Sequence, residues 1–177
     1  MSKVYRIAVT GPESTGKSWL SEKLAEYYNT LYVPEYAREY VTRLDRPYMQ
    51  KDILIISQEQ IKRENIALKA ANRYLFCDTD LIVSKIWEVY KYNDCHPWIL
   101  EQIENNPCDL YLLCNIDLPW EPDPLREYPH MREFFFDWFK RELEQYGLPY
   151  RIISGNREQR LKNAAGEIDS FFNTTGE

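Results

Sequence analysis

A glycine-rich octet near the start of the chain has the residue types that bind phosphate. Residues 11–18 read GPESTGKS, which fits the phosphate-binding pattern G-x-x-x-x-G-K-[ST], the P-loop. The glycines let the main chain turn its N–H groups toward an anion, and a lysine here can reach the terminal phosphates of ATP. The final serine offers a hydroxyl to Mg²⁺. The octet therefore predicts an ATP site made by Gly11, Glu13, Ser14, Thr15, Gly16, Lys17 and Ser18.

An acidic residue for the metal follows a short apolar run. Residues 74–80 read YLFCDTD, so Asp78 comes directly after a predicted buried strand. P-loop proteins place a carboxylate at the end of a neighbouring strand, where it helps to hold Mg²⁺. Alternatively, Asp-Thr-Asp caps the next helix, and Asp80 suits that position. We predict a magnesium site formed by Ser18 and Asp78 and leave helix capping open.

Phosphoryl transfer also needs a carboxylate that orients or deprotonates the accepting hydroxyl. The segment PEYARE (34–39) follows another short strand, and Glu35 lies nearest to the end of that strand. A glutamate there could instead be favoured by a helix dipole, and Asp80 is the second candidate base. We therefore predict Glu35 in this role. Four aromatic residues could stack on a flat acceptor ring or simply pack: Tyr36, Trp87, Tyr90 and Trp120.

A proline-rich segment with two arginines has the character of a lid. The stretch DLPWEPDPLREYPH (117–130) holds four prolines, which favour a structured loop. Arg126 and Arg132 could spread the charge of a phosphoryl group in the transition state, or could be surface residues. We predict that residues 117–132 close over the nucleotide, with Arg126 in catalysis and Arg132 on the phosphates. Further on, SGNREQR (154–160) is a weaker candidate for wrapping adenine, with Gly155 as a contact.

Short apolar runs alternate with helical periodicities along the whole chain. Strands are predicted at 4–10, 31–33, 74–77, 109–116 and 150–154, and helices at 17–28, 36–44, 52–72, 81–91, 131–146 and 158–172. This order predicts an α/β fold of the P-loop NTPase or kinase type, with a five-stranded parallel sheet and helices on both faces. Ligands of such sheets bind outside the carboxyl ends of the strands, where the candidate residues fall.

Two of the helices carry a predicted buried face. In helix 52–72, Asp52 is expected to cap the first turn, and Leu54, Ile61 and Leu68 recur on one side. In helix 131–146, the aromatic stripe is interpreted as core rather than as a cofactor site; its members are Phe135, Trp138, Phe139, Leu143 and Tyr146. The terminal residues TTGE are expected to fray.

Length, net charge and cysteine content limit the functions that the chain can have. The chain has 177 residues, which suits one domain, and a net charge of −6, which argues against binding to a nucleic-acid backbone. Its four cysteines form no CxxC pair and are expected to be buried or idle thiols. No signal-peptide pattern and no apolar run long enough for a membrane span occur in the sequence. We expect a cytoplasmic protein that does not bind membranes; the sequence gives no oligomeric state.

Among P-loop proteins, the sequence favours a small-molecule kinase. A GTPase should carry a guanine-reading NKxD element, and the nearest stretch, CNID (114–117), lacks the lysine. The chain is also short for the core of a motor ATPase. A lid with arginines is typical of kinases that exclude water, so that ATP is not hydrolysed.

Longer stretches of the sequence resemble the kinase domain of the NadR family. The resemblance lies in GPESTGKSWLSEKLAEYYNT, VPEYAREYV, CDTD, DLYLLCNIDLPWEPDPLRE and LPYRIISG, and it covers nearly the whole chain. The glutamate inside the P-loop, the EYxRE block and the PW…D.LR stretch are more specific than the P-loop pattern alone.

The resemblance implies an activity. Kinase domains of this family phosphorylate nicotinamide riboside with ATP, and by position they imply Gly11–Ser18 on ATP phosphate, Asp78 near Mg²⁺, Glu35 at the acceptor ribose and Arg126 in the lid. The family's full-length proteins carry an adenylyltransferase domain, and some a DNA-binding domain, ahead of the kinase. Because this chain starts at the first kinase strand, we expect it neither to make NAD from the mononucleotide nor to bind operator DNA.

The sequence thus predicts one P-loop kinase domain over residues 1–177 that uses ATP and Mg²⁺. The expected reaction is transfer to the 5′-hydroxyl of a nucleoside, with nicotinamide riboside preferred. Three alternatives stay open: a kinase for another nucleoside or small metabolite, an ATP-binding regulatory module, and a slow ATPase without an acceptor.

Overall fold

The computed structural model describes residues 3–174. Within that range the strands are β1 (Tyr5–Thr10), β2 (Leu31–Val33), β3 (Tyr74–Asp78), β4 (Leu110–Cys114) and β5 (Tyr150–Ile153). The helices are α1 (Lys17–Tyr27), α2 (Tyr36–Thr42), α3 (Gln50–Leu68), α4 (Leu81–Tyr92), α5 (Pro97–Asn105), α6 (Arg132–Gln145) and α7 (Arg157–Thr174). All five predicted strands are confirmed to within two residues at each end. Most of the terminal TTGE lies outside the described residues.

The five strands form one parallel sheet in the order β2-β3-β1-β4-β5. The central strand β1 is buried on both faces: Ile7, Ala8 and Val9 are wholly inaccessible to solvent. Because side chains alternate across a strand, Ile7 and Val9 pack on the α1 and α7 side, whereas Ala8 packs on the side of α4, α5 and α6. The predicted parallel sheet with helices on both faces is confirmed.

Helix α5 was not predicted from the sequence, although its signals are present. His96 accepts a hydrogen bond at Nδ1 from the main-chain N–H of Trp98 at 3.1 Å, and Pro97 opens the helix. Ile99 and Ile103, one turn apart, are both buried. The helix packs on α4, and its two isoleucines belong to the core cluster on that face of the sheet.

Helix α3 has the predicted apolar stripe only at the margin of its buried face. Leu54, Ile61 and Leu68 are partly buried and pack against the core. The most buried residues of the helix are Asp52, Ile53, Ser57, Gln60 and Glu64. The sequence did not predict this centre of the face, because most of its members are polar side chains that are buried with hydrogen-bond partners. Asp52 is the third residue of the helix rather than its cap, and its carboxylate accepts the Met49 N–H at 2.7 Å.

Two further expectations, for the aromatic stripe of α6 and for the cysteines, are confirmed. The aromatic stripe of α6 belongs to the core, with Phe135, Phe139 and Leu143 buried. All four cysteines are free thiols, and three of them are buried. Among residues 3–174, no helix combines the length and apolar character needed to cross a membrane.

Candidate active site

The P-loop, residues 11–18, joins the end of β1 to the start of α1. Gly11 has φ of 131° and Gly16 has φ of 80°, conformations that favour glycine. A Cβ at Gly11 would lie 3.0 Å from the carbonyl oxygen of Cys114, and one at Gly16 would lie 3.1 Å from a methyl carbon of Leu118. Both positions therefore need glycine for conformation and for space.

The loop and the helix that follows present positive charge. The first turn of α1 holds no acidic side chain, which leaves the positive end of the helix open to an anion. Lys17 begins this helix and folds back, so that its Nζ donates to the carbonyl of Pro12 at 2.7 Å. The Thr15 hydroxyl donates to the same carbonyl at 2.8 Å. This arrangement holds the loop curled and keeps the ammonium group at its rim.

Asp78 ends β3 and pairs with Val9 of β1, which places it beside the P-loop. It is 2% exposed, and its Oδ1 has no hydrogen-bond partner among the described residues. Burial raises the pKa of Asp78, while the Ser18 hydroxyl and the Lys17 charge act in the opposite direction. A buried, unpartnered carboxylate oxygen next to a hydroxyl fits a Mg²⁺ that is shared with phosphates, since such ions take only one or two protein ligands.

Glu35 stands directly before α2, but it makes no capping hydrogen bond to that helix. Its side chain instead lines the cavity that also contains Lys17. Burial, together with the nearby charge of Asp78, raises the pKa of Glu35, and Lys17 and Arg38 partly oppose this. A carboxylate with a raised pKa beside a lysine is suited to accept a proton.

Asp80, the second candidate base, has both oxygens occupied. Oδ1 accepts the Thr10 hydroxyl at 2.7 Å, and Oδ2 accepts the main-chain N–H of Ile82 at 3.2 Å, which caps α4. Burial raises the pKa of Asp80 to about 6. These contacts hold Asp80 at the strand end, whereas Glu35 makes no capping hydrogen bond. Which of the two carboxylates acts as a base stays a prediction.

One cavity of about 650 Å³ connects the P-loop to an aromatic wall. The wall includes Trp87 from α4 and Tyr128, whose rings stack with centroids 5.5 Å apart. Tyr48, Phe135 and Phe139 also line the cavity. The cavity is large enough for a small ligand and combines apolar walls with a few charged groups.

The structure brings one of the four candidate stacking residues, Trp87, into the cavity lining. Tyr36 lies under the guanidinium of Arg63, 4.2 Å from ring centroid to Cζ. Tyr90 packs edge-on against Phe135, and Trp120 lies beside Arg132. Tyr48 and Tyr128 were not predicted from the sequence, because they lie in irregular segments with no periodicity to mark them.

The predicted lid, residues 117–132, is a loop without helix or strand up to residue 131, and Arg132 begins α6. The P-loop holds it directly: the Glu13 carboxylate accepts the main-chain N–H groups of Glu127 at 3.1 Å and Tyr128 at 3.2 Å. The Ser14 hydroxyl accepts the N–H of Glu121 at 2.8 Å. Glu13 was predicted as a nucleotide contact, and the structure places its side chain on the lid.

Ion pairs fix the outer side of the lid. Arg38 of α2 pairs with Asp123 at 3.0 Å, and Lys91 of α4 pairs with Glu127 at 2.7 Å. The lid thus spans from the P-loop to the helices on the far side of the cavity. Neither Arg38 nor Lys91 was predicted as a site residue from the sequence, because their partners are far away in the chain.

Both lid-associated arginines lie at the P-loop. Arg126 donates to the Ser14 hydroxyl at 3.3 Å and to the carbonyl of Glu121. Arg132, which is the first residue of α6, donates to the carbonyls of Leu118 at 2.8 Å and Ser14 at 3.3 Å. Their hydrogen bonds go to neutral oxygens, although the charge of Arg126 also helps to lower the pKa of the nearby Asp123. Both guanidinium groups add positive charge to the P-loop end of the cavity.

Gly155 lies after β5, outside the cavity lining. It has φ of 108°, and its N–H donates to Asp117 at 2.6 Å. The neighbouring Arg160 is fully buried and donates to the carbonyl of Ile153 at 2.7 Å as well as to Asp117. The cavity is lined instead by Arg157 and Arg160. An adenine contact at Gly155 stays a prediction.

The sheet order and the P-loop after the central strand correspond to the P-loop kinase fold. The chain belongs to the AAA domain family, which it matches over residues 6–160. It is also similar to the "Trifunctional NAD biosynthesis/regulator protein NadR" of Salmonella typhimurium and of Escherichia coli, with 32% identity over 130 residues in each case. The resemblance to NadR predicted from the sequence is thereby confirmed.

These matches have a limited extent. The similar region makes up 70% of this chain and 31% of each relative, so the chain spans about a third of the length of the curated relatives it matches. Among solved structures, NadR in complex with NR superposes with a TM-score of 0.80 at 24% identity, covering 95% of this chain and 49% of that one. Thymidylate kinase from Ehrlichia chaffeensis superposes with a TM-score of 0.68 at 13% identity, covering 94% and 100%. Both structural matches support the fold.

Proposed function

We propose that the chain is one kinase domain that transfers the terminal phosphoryl group of ATP to the 5′-hydroxyl of a nucleoside, with nicotinamide riboside as the preferred acceptor. The observation that carries the proposal is the single cavity, which joins Lys17 at the P-loop, Glu35 at the end of β2 and the aromatic wall at Trp87 and Tyr128. The proposed donor site, the proposed base and an apolar site for a flat ring therefore share one cavity.

At the donor end, the P-loop N–H groups and Lys17 bind the β- and γ-phosphates. On phosphate binding, the Lys17 ammonium exchanges its bond to the Pro12 carbonyl for a charge-assisted bond to phosphate, which is the stronger contact. Ser18 and Asp78 would hold Mg²⁺, which supplies positive charge to the phosphate oxygens. Arg126 and Arg132 turn from their neutral partners toward the charge that develops on the transferred group.

At the acceptor end, Glu35 orients the nucleoside hydroxyl and accepts its proton. Burial holds the pKa of Glu35 above its ordinary value, which makes the carboxylate a better proton acceptor near neutral pH. The lid, held by Glu13 and Ser14, excludes water that would otherwise take the phosphoryl group.

The aromatic wall supports a nicotinamide acceptor. The nicotinamide ring of the riboside is a flat cation, and the faces of Trp87 and Tyr128 attract such rings through cation–π contact and stacking. These two rings already stack on each other, so the acceptor ring would lie against them or separate them. The similarity to NadR and the NadR complex with NR support the same choice.

A nucleoside panel tests the proposal. ADP formation and nucleotide product are measured with ATP, Mg²⁺ and each of nicotinamide riboside, adenosine, cytidine, thymidine and deoxyadenosine. The Lys17→Ala variant serves as the inactive control, and Lys23→Ala, at an exposed position on α1, as the matched substitution. We expect turnover that is highest with nicotinamide riboside and depends on Mg²⁺.

Other results would identify the alternatives. Good turnover of a different nucleoside, without any of nicotinamide riboside, contradicts the preferred acceptor and keeps the kinase. Binding of ATP without transfer to any acceptor contradicts the kinase and indicates a regulatory module. Release of phosphate that no nucleoside alters indicates an ATPase.

A further inference from the structure

Thr79 adopts a main-chain conformation that is unfavourable for its residue type. Its φ is 79°, in the left-handed region, although its side chain is β-branched. Such a conformation is unfavourable and persists only where the surroundings fix it. Here the Thr79 N–H donates to the carbonyl of Val9 at 2.9 Å, while the next residue, Asp80, is held by Thr10 and Ile82. The main chain is thus fixed on both sides.

The hydroxyl of Thr79 is buried without a partner. The residue is 7% exposed, and Oγ1 has no hydrogen bond among the described residues. Among residues 3–174, every other buried serine and threonine hydroxyl has a hydrogen-bond partner. These hydroxyls belong to Thr10, Ser14, Thr15, Ser21 and Ser57. An unpaired buried hydroxyl is costly, and Thr79 lines the cavity rather than the core.

Thr79 also lies at a specific point of the sheet edge. In the sheet, β3 lies between β2, which leads to Glu35, and β1, which leads to Gly11. Thr79 directly follows β3. Since these three strands are parallel, their carboxyl ends meet at the same edge. Thr79 therefore lies at this edge between the proposed base, Glu35, and the P-loop.

We propose that the Thr79 hydroxyl binds a sugar hydroxyl of the acceptor, beside the oxygen that receives the phosphoryl group. This inference rests on the proposed kinase function and adds a residue that positions the acceptor. Glycine or asparagine would adopt the observed φ at lower cost, but neither would place a hydroxyl there. The bound sugar supplies the missing hydrogen-bond partner.

Steady-state kinetics of two substitutions test the inference, with whichever nucleoside the wild-type chain phosphorylates best. Thr79→Val keeps the shape and removes the hydroxyl, so kcat/KM for the acceptor should fall about 10-fold while the KM for ATP changes less than about 2-fold. Thr79→Ser keeps the hydroxyl and should restore most of the acceptor efficiency.

Thermal unfolding separates this role from a structural one. Because Thr79→Val removes an unsatisfied buried hydroxyl and Thr79→Gly removes the unfavourable φ, neither variant should unfold at a lower temperature than the wild-type chain, and both should lose acceptor efficiency. Unchanged acceptor kinetics in Thr79→Val would overturn the inference while leaving the kinase intact. An equal rise in the KM for ATP would also overturn it. If the wild-type chain phosphorylates no nucleoside, the proposed function itself fails, and this inference fails with it.

Discussion

The two ends of the cavity are built in different ways. The proposed phosphate end comes from eight consecutive residues, 11–18, whose main chain is expected to do most of the binding. The proposed acceptor end is assembled from side chains of α4, α6, the lid and the irregular segment before α3. The first kind of site depends on local conformation, and the second depends on how distant segments pack. Substitutions should therefore affect ATP use and acceptor use separately.

The largest effect is expected at the phosphate end. Lys17→Ala removes the ammonium that balances the terminal phosphates, so kcat/KM should fall about 10³-fold or more. The fold should persist, because the only described bond of this ammonium goes to the Pro12 carbonyl within the same loop. Initial rates and thermal unfolding check both points. Activity within a few-fold of Lys23→Ala would contradict the assignment of the donor site.

Glu35→Gln should have the next largest effect. Removing the base should lower kcat on the order of 10²-fold while the KM values change little. In the wild-type chain, activity should fall as the pH drops below the raised pKa of Glu35, because only the ionised carboxylate accepts the proton. Asp80→Asn is the control, since asparagine also caps helices well. A pH profile and kcat for both variants decide between them, and a larger loss in Asp80→Asn would make Asp80 the base.

Trp87→Leu should impair acceptor use without impairing ATP use. The loss of an aromatic face should raise the acceptor KM about 10-fold and leave the KM for ATP unchanged. Trp120→Leu is the matched control, because Trp120 lies outside the cavity lining. If both variants behave alike, the aromatic wall does not bind the acceptor ring.

The smallest kinetic effect is expected at the contact between the P-loop and the lid. Glu13→Ala removes the acceptor of the Glu127 and Tyr128 N–H groups, so hydrogen exchange of those amides should accelerate about 10-fold. ADP released without phosphorylated product should rise several-fold, because the lid excludes water less well. Glu22→Ala, an exposed glutamate on α1, is the control. If neither the amide hydrogen exchange nor the amount of ADP released without phosphorylated product changes, Glu13 does not hold the lid.

The difference between local and distant contacts also explains which features could be predicted from the sequence. Strands β1 to β5 and the P-loop follow from short apolar runs and one local pattern, which need no knowledge of distant contacts. The centre of the buried face of α3 could not be predicted, because Ser57 and Gln60 are buried through partners elsewhere, Ser84 and the N–H of Tyr36. Tyr128 was missed for the same reason: its contact with Trp87 exists only in the folded chain.

Phosphorus NMR of a completed reaction tests the central claim most directly. The chain is incubated with ATP, Mg²⁺ and nicotinamide riboside, and the position of the transferred phosphate is read from its coupling to the ribose protons. The account predicts a monoester coupled to the two protons on the 5′ carbon, formed together with ADP. A spectrum with only inorganic phosphate and ADP, or with unchanged ATP, would contradict it.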